Sequence, residues 1–267
     1  MSRLTPLLTV MVEAAQKAGR ALRRDFGEVE QLQVSRKGPA DFVTKADTKA
    51  ESILVTALQK ARPAYGFLNE EGGEIEGSDI SNRWIIDPLD GTTNFLHGIP
   101  HFAVSVALER DRRIEAGVVY NPITDDLYYA ERGKGAFLRD SRLRVSGRQH
   151  INEALFATGI PFLGRPDHDI FIKELEAVMA GSVGIRRFGS AALDLAFVAA
   201  GRYDGYWERN LQSWDIAAGL LLVREAGGIV TDIDGKDKML ENGSIIASNG
   251  DLDRDFMKLL KAARKSV

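Results

Sequence analysis

The sequence predicts a layered α/β fold with mixed sheets, in two halves that meet near residue 150. Apolar residues recur at helical spacing in two segments before residue 62. Strand-like runs then crowd the stretch 103–137, and strands alternate with helices from there to the end. Runs of strands followed by alternating units are the pattern of sheets covered by helices.

A first helix is predicted over 4–26. Leu4, Leu7, Leu8, Met11, Val12, Ala15 and Leu22 share one face, and Thr5-Pro6 reads as an N-cap followed by a first-turn proline. Alternation over 29–35 suggests a strand. A second helix opens at Asp47, with Ile53, Leu54, Ala57, Leu58 and Ala61 on its apolar face. The segment 65–69 reads as a short strand running into Glu70-Glu71, and 83–87 as a buried strand stopped by Pro88. Strands at 103–108, 115–120 and 126–130 are divided by turn signals at Asp111-Arg112, Asn121-Pro122 and Gly133. Beyond residue 150, strands are expected at 155–160, 185–188, 203–207, 229–232 and 244–247. Helices are expected at 167–180, 190–200, 213–226 and 252–265.

With 44% hydrophobic and 27% charged residues, the 267-residue chain has the composition of an ordinary globular protein. A net charge of −3 gives no basic surplus for nucleic acid or an anionic membrane, so direct nucleic-acid binding is not expected. An anionic substrate would need a local positive element, such as metal ions. The absence of cysteine excludes disulfides and thiolate metal sites. The apolar stretch 4–12 follows Arg3, but its helical spacing favours a core helix over a leader. The uncharged stretch 91–108 contains Gly98, Pro100 and two histidines, which do not suit a spanning helix. A cytoplasmic protein is expected.

The chemistry concentrates in 84–94, Trp-Ile-Ile-Asp-Pro-Leu-Asp-Gly-Thr-Thr-Asn. A buried strand would place Asp87 at its carboxyl end, and Pro88 would turn the chain to present Asp90 beside it. Gly91, Thr92 and Thr93 would then offer backbone N–H groups to a phosphate. Two carboxylates about 5 Å apart at an effective dielectric of about 20 repel by about 3 kcal/mol. A cation, a proton or full solvation must offset that, so a metal site competes with a solvated turn. Glu70 also ends a strand and could project into the same crevice. Asp47 stands six residues after Asp41 at a helix start, where a plain cap is the other reading. Asp215, in Ser213-Trp214-Asp215, sits in the first turn of a helix, where the dipole favours its ionised form.

This set resembles the inositol monophosphatase family over nearly the whole chain. The likeness lies in Gly38-Pro39-Ala40-Asp41-Phe42-Val43-Thr44 with Asp47, in Glu70-Glu71 and in 84–94. It continues in Gly189-Ser190-Ala191-Ala192-Leu193-Asp194, in Glu208 through Trp214-Asp215, and in Arg224-Glu225-Ala226-Gly227-Gly228-Ile229. The resemblance implies a single-domain αβαβα sandwich of the sugar-phosphatase type, a homodimer, and two or three Mg²⁺ ions. One ion would be held by Glu70, Asp87 and the Leu89 carbonyl, and a second by Asp87, Asp90 and Asp215. Glu70 would share a weaker third. Oxygen-only ligands suit this hard cation. Thr92, supported by Asp47, and Glu70 would orient and deprotonate a water. The Gly91 and Thr92 amides would bind phosphate, while Glu208 and Ala191, with Asp90, would contact polyol hydroxyls.

The implied reaction is metal-assisted in-line hydrolysis of a polyol phosphate monoester, with lithium inhibition. Myo-inositol 1-phosphate leads, and fructose 1,6-bisphosphate, histidinol phosphate and adenosine 3′,5′-bisphosphate are alternatives. A role of a different class is regulatory binding to a partner in the transcription machinery. Phe162 stands where animal members carry a serine, as in the bacterial-type branch. Arg187, with Arg186, could reach a second anionic group of the substrate, form a dimer contact or remain solvated. Lys37, in the loop before Asp41, could approach the phosphate or the third metal. Asp232-Ile233-Asp234-Gly235 reads as a β-turn, and Gly98 and Pro100 argue against a helical zinc pair of His97 and His101. Asp194 reads as an internal helix residue near the site.

Overall fold

The computed structural model describes residues 4–26, 34–38 and 41–265, with only the backbone described for 34–38 and 41–43. The strand expected over 29–35 therefore lies largely outside the described residues, as do the side chains of Lys37 and Asp41. Helices α1 (Pro6–Phe26) and α2 (Lys45–Ala61) flank a small antiparallel pair, β1 (Val34–Gly38) and β2 (Asp41–Thr44). The large sheet is built from β3 (Tyr65–Asn69), β4 (Gly73–Ile75), β5 (Asp79–Asp90), β6 (Ala103–Arg110), β7 (Arg113–Asn121), β8 (Asp126–Glu131), β9 (Gly135–Leu138) and β10 (Ser141–Arg142). Its strand order is β10-β9-β8-β7-β6-β5-β3-β4. A short helix, α3 (Thr92–Leu96), follows β5.

The second sheet contains β11 (Leu155–Thr158), β12 (Gly184–Arg186), β13 (Gly205–Glu208), β14 (Gly228–Thr231) and β15 (Ile245–Asn249), in the order β12-β11-β13-β15-β14. Its helices are α4 (His168–Gly181), α5 (Ala191–Ala199), α6 (Ser213–Glu225), α7 (Met239–Asn242) and α8 (Asp253–Arg264).

Three apolar cores hold these elements in layers. Met11, Leu22 and Leu54 of α1 and α2 meet Trp84, Ile86, Val104 and Val106 on one face of the large sheet. The opposite face, through Ile85 and Ala107, meets Leu195 and Leu221 of α5 and α6, which also cover Tyr206 and Ala247 of the second sheet. The outer face of that sheet, with Phe156 and Trp207, is closed by Phe171 of α4 and Phe256 of α8. Neighbouring residues of one strand thus enter different cores, as the period of two requires. Each large apolar side chain buried this way stabilises the fold by roughly 1.5–3 kcal/mol. The result is the expected αβαβα sandwich. Its central helices lie close to the sheet, because a methyl group on Gly117 would come within 2.9 Å of the Ala218 backbone.

Two local expectations need correction. Pro88 does not stop the strand: β5 runs to Asp90, and its register against β6 shifts between Asp87, opposite Ser105, and Asp90, opposite Ala103. One extra residue is accommodated there, a bulge that tolerates the missing proline N–H and re-aims the side chains around it. Asp47 does not open α2. Thr44 is the N-cap, and Asp47 closes a capping box with it from the third helical position. Strands β4, β9 and β10 and helix α7 were not anticipated, being too short to show a period. Among the described residues, no helix is long and apolar enough to cross a membrane.

Candidate active site

Four carboxylates are brought together by sheet register. Strand β3 runs parallel to β5 with Asn69 opposite Ile86, so Glu70 emerges beside Asp87, and its N–H donates to Ile86 O at 3.1 Å. Asp87 pairs across the sheet with Ser105, whose hydroxyl donates to Trp214 O at 3.3 Å. That contact ties the first turn of α6, and with it Asp215, to the same place. Beyond the bulge, Asp90 Oδ2 accepts from Ser190 Oγ at 2.6 Å and from Ala192 N at 2.8 Å, which fixes it against the start of α5.

The hydroxyl of Thr92 lies 3.1 Å from Asp47 Oδ1 and 3.0 Å from Leu89 O. Asp47 is held in turn by Thr44 N at 2.9 Å and by the Thr44 hydroxyl. Gly91 stands between Asp90 and Thr92 at φ 97°, a left-handed conformation that favours glycine. It is also the N-cap of α3. Asn94 clamps the turn from the far side, donating to His101 O at 2.8 Å and Phe188 O at 2.7 Å.

Burial makes this arrangement costly without a counter-ion. Asp87 is pushed well above the usual carboxylate range by burial and by repulsion from Glu70, Asp90 and Asp215. Burial likewise raises Asp215, with Asp90 adding to the effect, and lifts Asp90 to about 6 against the hydrogen bonds from Ser190 and Ala192. Asp47 is also raised by burial to about 6. The charges of these acids act on one another, while among the described residues no three His, Cys, Asp or Glu side chains are placed so that, as they stand, they could hold a metal ion. The donor set is oxygen-only, which fits a small hard divalent cation better than a soft one.

A cavity opens from this cluster between the two halves. Its lining includes Asp90, Gly91, Thr92, Ala191, Glu208 and Asp215, with Arg165, Arg187 and Phe162 farther along the wall. Burial pushes Glu208 up to about 7. The Tyr206 hydroxyl donates to Glu208 Oε2, and the charges of Arg187 and Arg165 act on the same carboxyl. The backbone N–H of Ala191, like that of Ala192, turns toward Asp90. Asp194 is almost fully buried at the cavity wall, held well above its ordinary range by burial and by Glu208. Arg187 is exposed at the rim, whereas Arg186 is not among the lining residues.

The remaining motifs behave as ordinary structure. His97 is the C-cap of α3, so His97 and His101 do not share a helix. Asp232 closes a turn, accepting from Asp234 N at 2.9 Å and Lys236 N at 2.7 Å.

The comparison with known proteins fits this geometry. A model of the inositol monophosphatase family matches residues 3–267. This chain belongs to that family. It is 62% identical over 255 residues to the inositol-1-monophosphatase of Mesorhizobium japonicum, covering 96% of each chain. It is 46% identical over 250 residues, 92% of each chain, to a Pseudomonas aeruginosa protein named Nus factor SuhB. Among solved structures, extragenic suppressor protein suhB from Bartonella henselae superimposes with a TM-score of 0.94 at 58% identity, covering 96% of this chain and 99% of that one. Inositol monophosphatases are metal-dependent phosphatases, so the chain is a phosphoric monoester hydrolase acting on a phosphate ester.

Several residues of this inositol monophosphatase fold were not singled out from sequence. Tyr206 could have been, since it shares a strand face with Glu208 two residues on. Ser190 carried the signal of a helix N-cap, a role it fills by accepting from Leu193 N. Thr44 carried the signal of a helix N-cap with an acid three residues on, whereas Gly159 carried none, because its importance lies in its closeness to Glu208, remote in sequence.

Proposed function

We propose that this chain hydrolyses myo-inositol 1-phosphate to myo-inositol and phosphate with Mg²⁺. The observation behind this reading is the set Glu70, Asp87, Asp90 and Asp215, gathered around the buried Asp87 beside a cavity that Asp90 and Asp215 border together with Glu208. In it, Glu70, Asp87 and the Leu89 carbonyl would hold one ion and Asp87, Asp90 and Asp215 a second, with Glu70 available to a third. Bound there, Mg²⁺ would supply positive charge to the transferring phosphoryl group and make water more acidic.

The chain's own groups do the rest. Gly91 and Thr92 offer N–H groups to the phosphoryl oxygens, and the bulge at Pro88 fixes their direction. Thr92 spends its hydroxyl hydrogen on Asp47 or Leu89 O, so its oxygen is left to accept from a water. That water is aimed at phosphorus along the line opposite the ester oxygen. Asp47, raised to about 6, takes up the proton relayed through Thr92, and Glu70 shares this work. Phosphorus gains a bond to the water oxygen and loses the bond to the inositol oxygen, which leaves as an alkoxide and takes a proton from a second water; the hydroxide so formed is neutralised by the proton held on Asp47. Glu208, oriented by Tyr206, and Asp90 receive the ring hydroxyls, beside Ala191. Arg187 stands at the rim, where a second anionic group would lie.

The experiment is phosphate release from myo-inositol 1-phosphate beside fructose 1,6-bisphosphate, histidinol phosphate and adenosine 3′,5′-bisphosphate, each with and without Mg²⁺. Mg²⁺-dependent release chiefly from the inositol ester is expected. Release chiefly from another ester would move the substrate, and release from none would overturn the reading. A cytoplasmic homodimer completes it, to be checked by light scattering.

The relative named Nus factor SuhB favours a second reading, regulatory binding to the transcription machinery. An Asp90→Asn variant separates the two: a purely catalytic role predicts loss of turnover and of cellular function together, and a binding role predicts retained cellular function.

A further inference from the structure

Glu208 is the last residue of β13, and the chain leaves the sheet directly after it. The next residues are irregular, with Asn210 in the left-handed region at φ 61°. Along β13, Tyr206 and Glu208 share one side of the strand, where their side chains meet, and Glu208 borders the cavity. Trp207 packs on the other side beneath α4 and α8, and Arg209, just past the strand, reaches Glu174 of α4 while also bordering the cavity.

There the Arg209 guanidinium donates through both terminal nitrogens to the two carboxylate oxygens of Glu174 on α4. The Glu174 side chain is 0% exposed and that of Arg209 14%. Arg264 of α8 braces the same carboxylate at 3.4 Å. On the other side of the segment, Arg165 Nη1 donates to Asn210 O at 2.7 Å, and Leu211 N donates to Gly243 O at 2.8 Å.

A buried ion pair is a poor device for stability alone, since apolar side chains of similar volume do as well. What a two-pronged arginine–carboxylate pair adds is direction, because both partners are planar and fixed by two bonds. Here that direction is imposed one residue from Glu208, at the point where the sheet stops imposing it.

We propose that Glu174 is a positioning residue for Glu208, acting through the Arg209 fork to hold the end of β13 in the geometry that receives the substrate's hydroxyls. The inference rests on the reading of Glu208 as a hydroxyl-binding group. Glu174 touches no substrate, and its effect falls on esters that have hydroxyls to bind. A phosphate ester without them, such as p-nitrophenyl phosphate, uses the carboxylate cluster and the Gly91–Thr92 turn only.

The test compares KM and kcat for myo-inositol 1-phosphate and p-nitrophenyl phosphate, with melting temperature, in the full chain and in Glu174→Met/Arg209→Met. The double variant removes both halves of the fork together, and Arg264, which loses the Glu174 carboxylate, keeps Asp234 at 3.9 Å. Its KM for the inositol ester should rise about ten-fold or more, as expected for a misplaced contact group, while p-nitrophenyl phosphate stays within about two-fold. Equal changes for both esters, tracking the melting temperature, would show a merely structural pair and overturn the proposal, as would no change for either. Should the double variant fail to fold, Arg209→Lys keeps the charge, loses the fork and makes the same comparison. Glu208→Gln separates the underlying reading. If it does not discriminate between the two esters, Glu208 is not the hydroxyl-binding group. If it does and the fork variants do not, the positioning role alone fails.

Discussion

Gly159 and the carboxylate of Glu208 are so close that a methyl group on Gly159 would meet the Glu208 carboxyl carbon at 1.9 Å. Strand β11 runs parallel beside β13 and ends one residue before Gly159, so the glycine faces the side chain with nothing between them. Gly159→Ala must therefore displace Glu208. KM for myo-inositol 1-phosphate should rise by about ten-fold or more, with p-nitrophenyl phosphate turnover nearly unchanged. Steady-state kinetics on the two esters checks this, and equal losses on both would argue against a hydroxyl-binding Glu208.

Asp215 shows whether the buried acids repel until a cation arrives. Without divalent cations, Asp215→Asn should melt a few degrees above the parent chain, because a repelling buried charge has been removed. In the parent, Mg²⁺ at about 100 times its dissociation constant should add about 2.7 kcal/mol, or roughly 5–10 °C. The variant should lose most of that gain. Calorimetry with and without Mg²⁺ measures both effects, and an unchanged Mg²⁺ response would remove Asp215 from the ligand set.

Thr92 is expected to act on turnover more than on binding. Thr92→Val removes the hydroxyl between Asp47 and the attacking water, and kcat should fall about 10²- to 10³-fold with KM within a few-fold. Thr92→Ser should recover most of the rate. A large rise in KM with kcat intact would place Thr92 in phosphate binding only.

Burial holds the His101 imidazole down at about 4, against an ordinary value of 6.5. Its ring lies 5.2 Å from that of Phe188 and 6.0 Å from that of Phe197, and its Nε2 has no hydrogen-bond partner. The unfolded chain takes up this proton first, so the stability tied to neutral His101 is full above pH 6.5. It declines as the pH falls through that window and is gone near pH 4. The ceiling is about 3 kcal/mol, and partial exposure of the ring brings it to roughly 1–2 kcal/mol. Denaturant titrations from pH 7 to 4 should show the parent losing this much relative to His101→Phe, and parallel curves would contradict it.

Much of this was legible in the sequence because it is local. Asp87, Pro88, Asp90, Gly91 and Thr92 lie within six residues, and both the proline and the glycine announce a special backbone. The proline was misread as a stop, since a bulge depends on the partner strand: only the pairing of Asp87 with Ser105 and of Asp90 with Ala103 reveals the extra residue. That Glu70 stands beside Asp87 follows from the parallel register of β3 and β5, which no local pattern encodes. Glu174, Arg209 and Arg264 lie far apart in sequence, and no local pattern joins them. Their burial comes from α4 and α8 closing over the same strand end.

The most direct measurement is phosphate release from myo-inositol 1-phosphate by the chain stripped of divalent cations and then titrated with Mg²⁺, beside Asp87→Asn. Glu70, Asp87, Asp90 and Asp215 acting as the cation-holding set predict no release without Mg²⁺, saturable release as it is added, and none from the variant at any Mg²⁺ concentration. Undiminished release in chelator, or an Asp87→Asn variant that titrates like the parent, would contradict it.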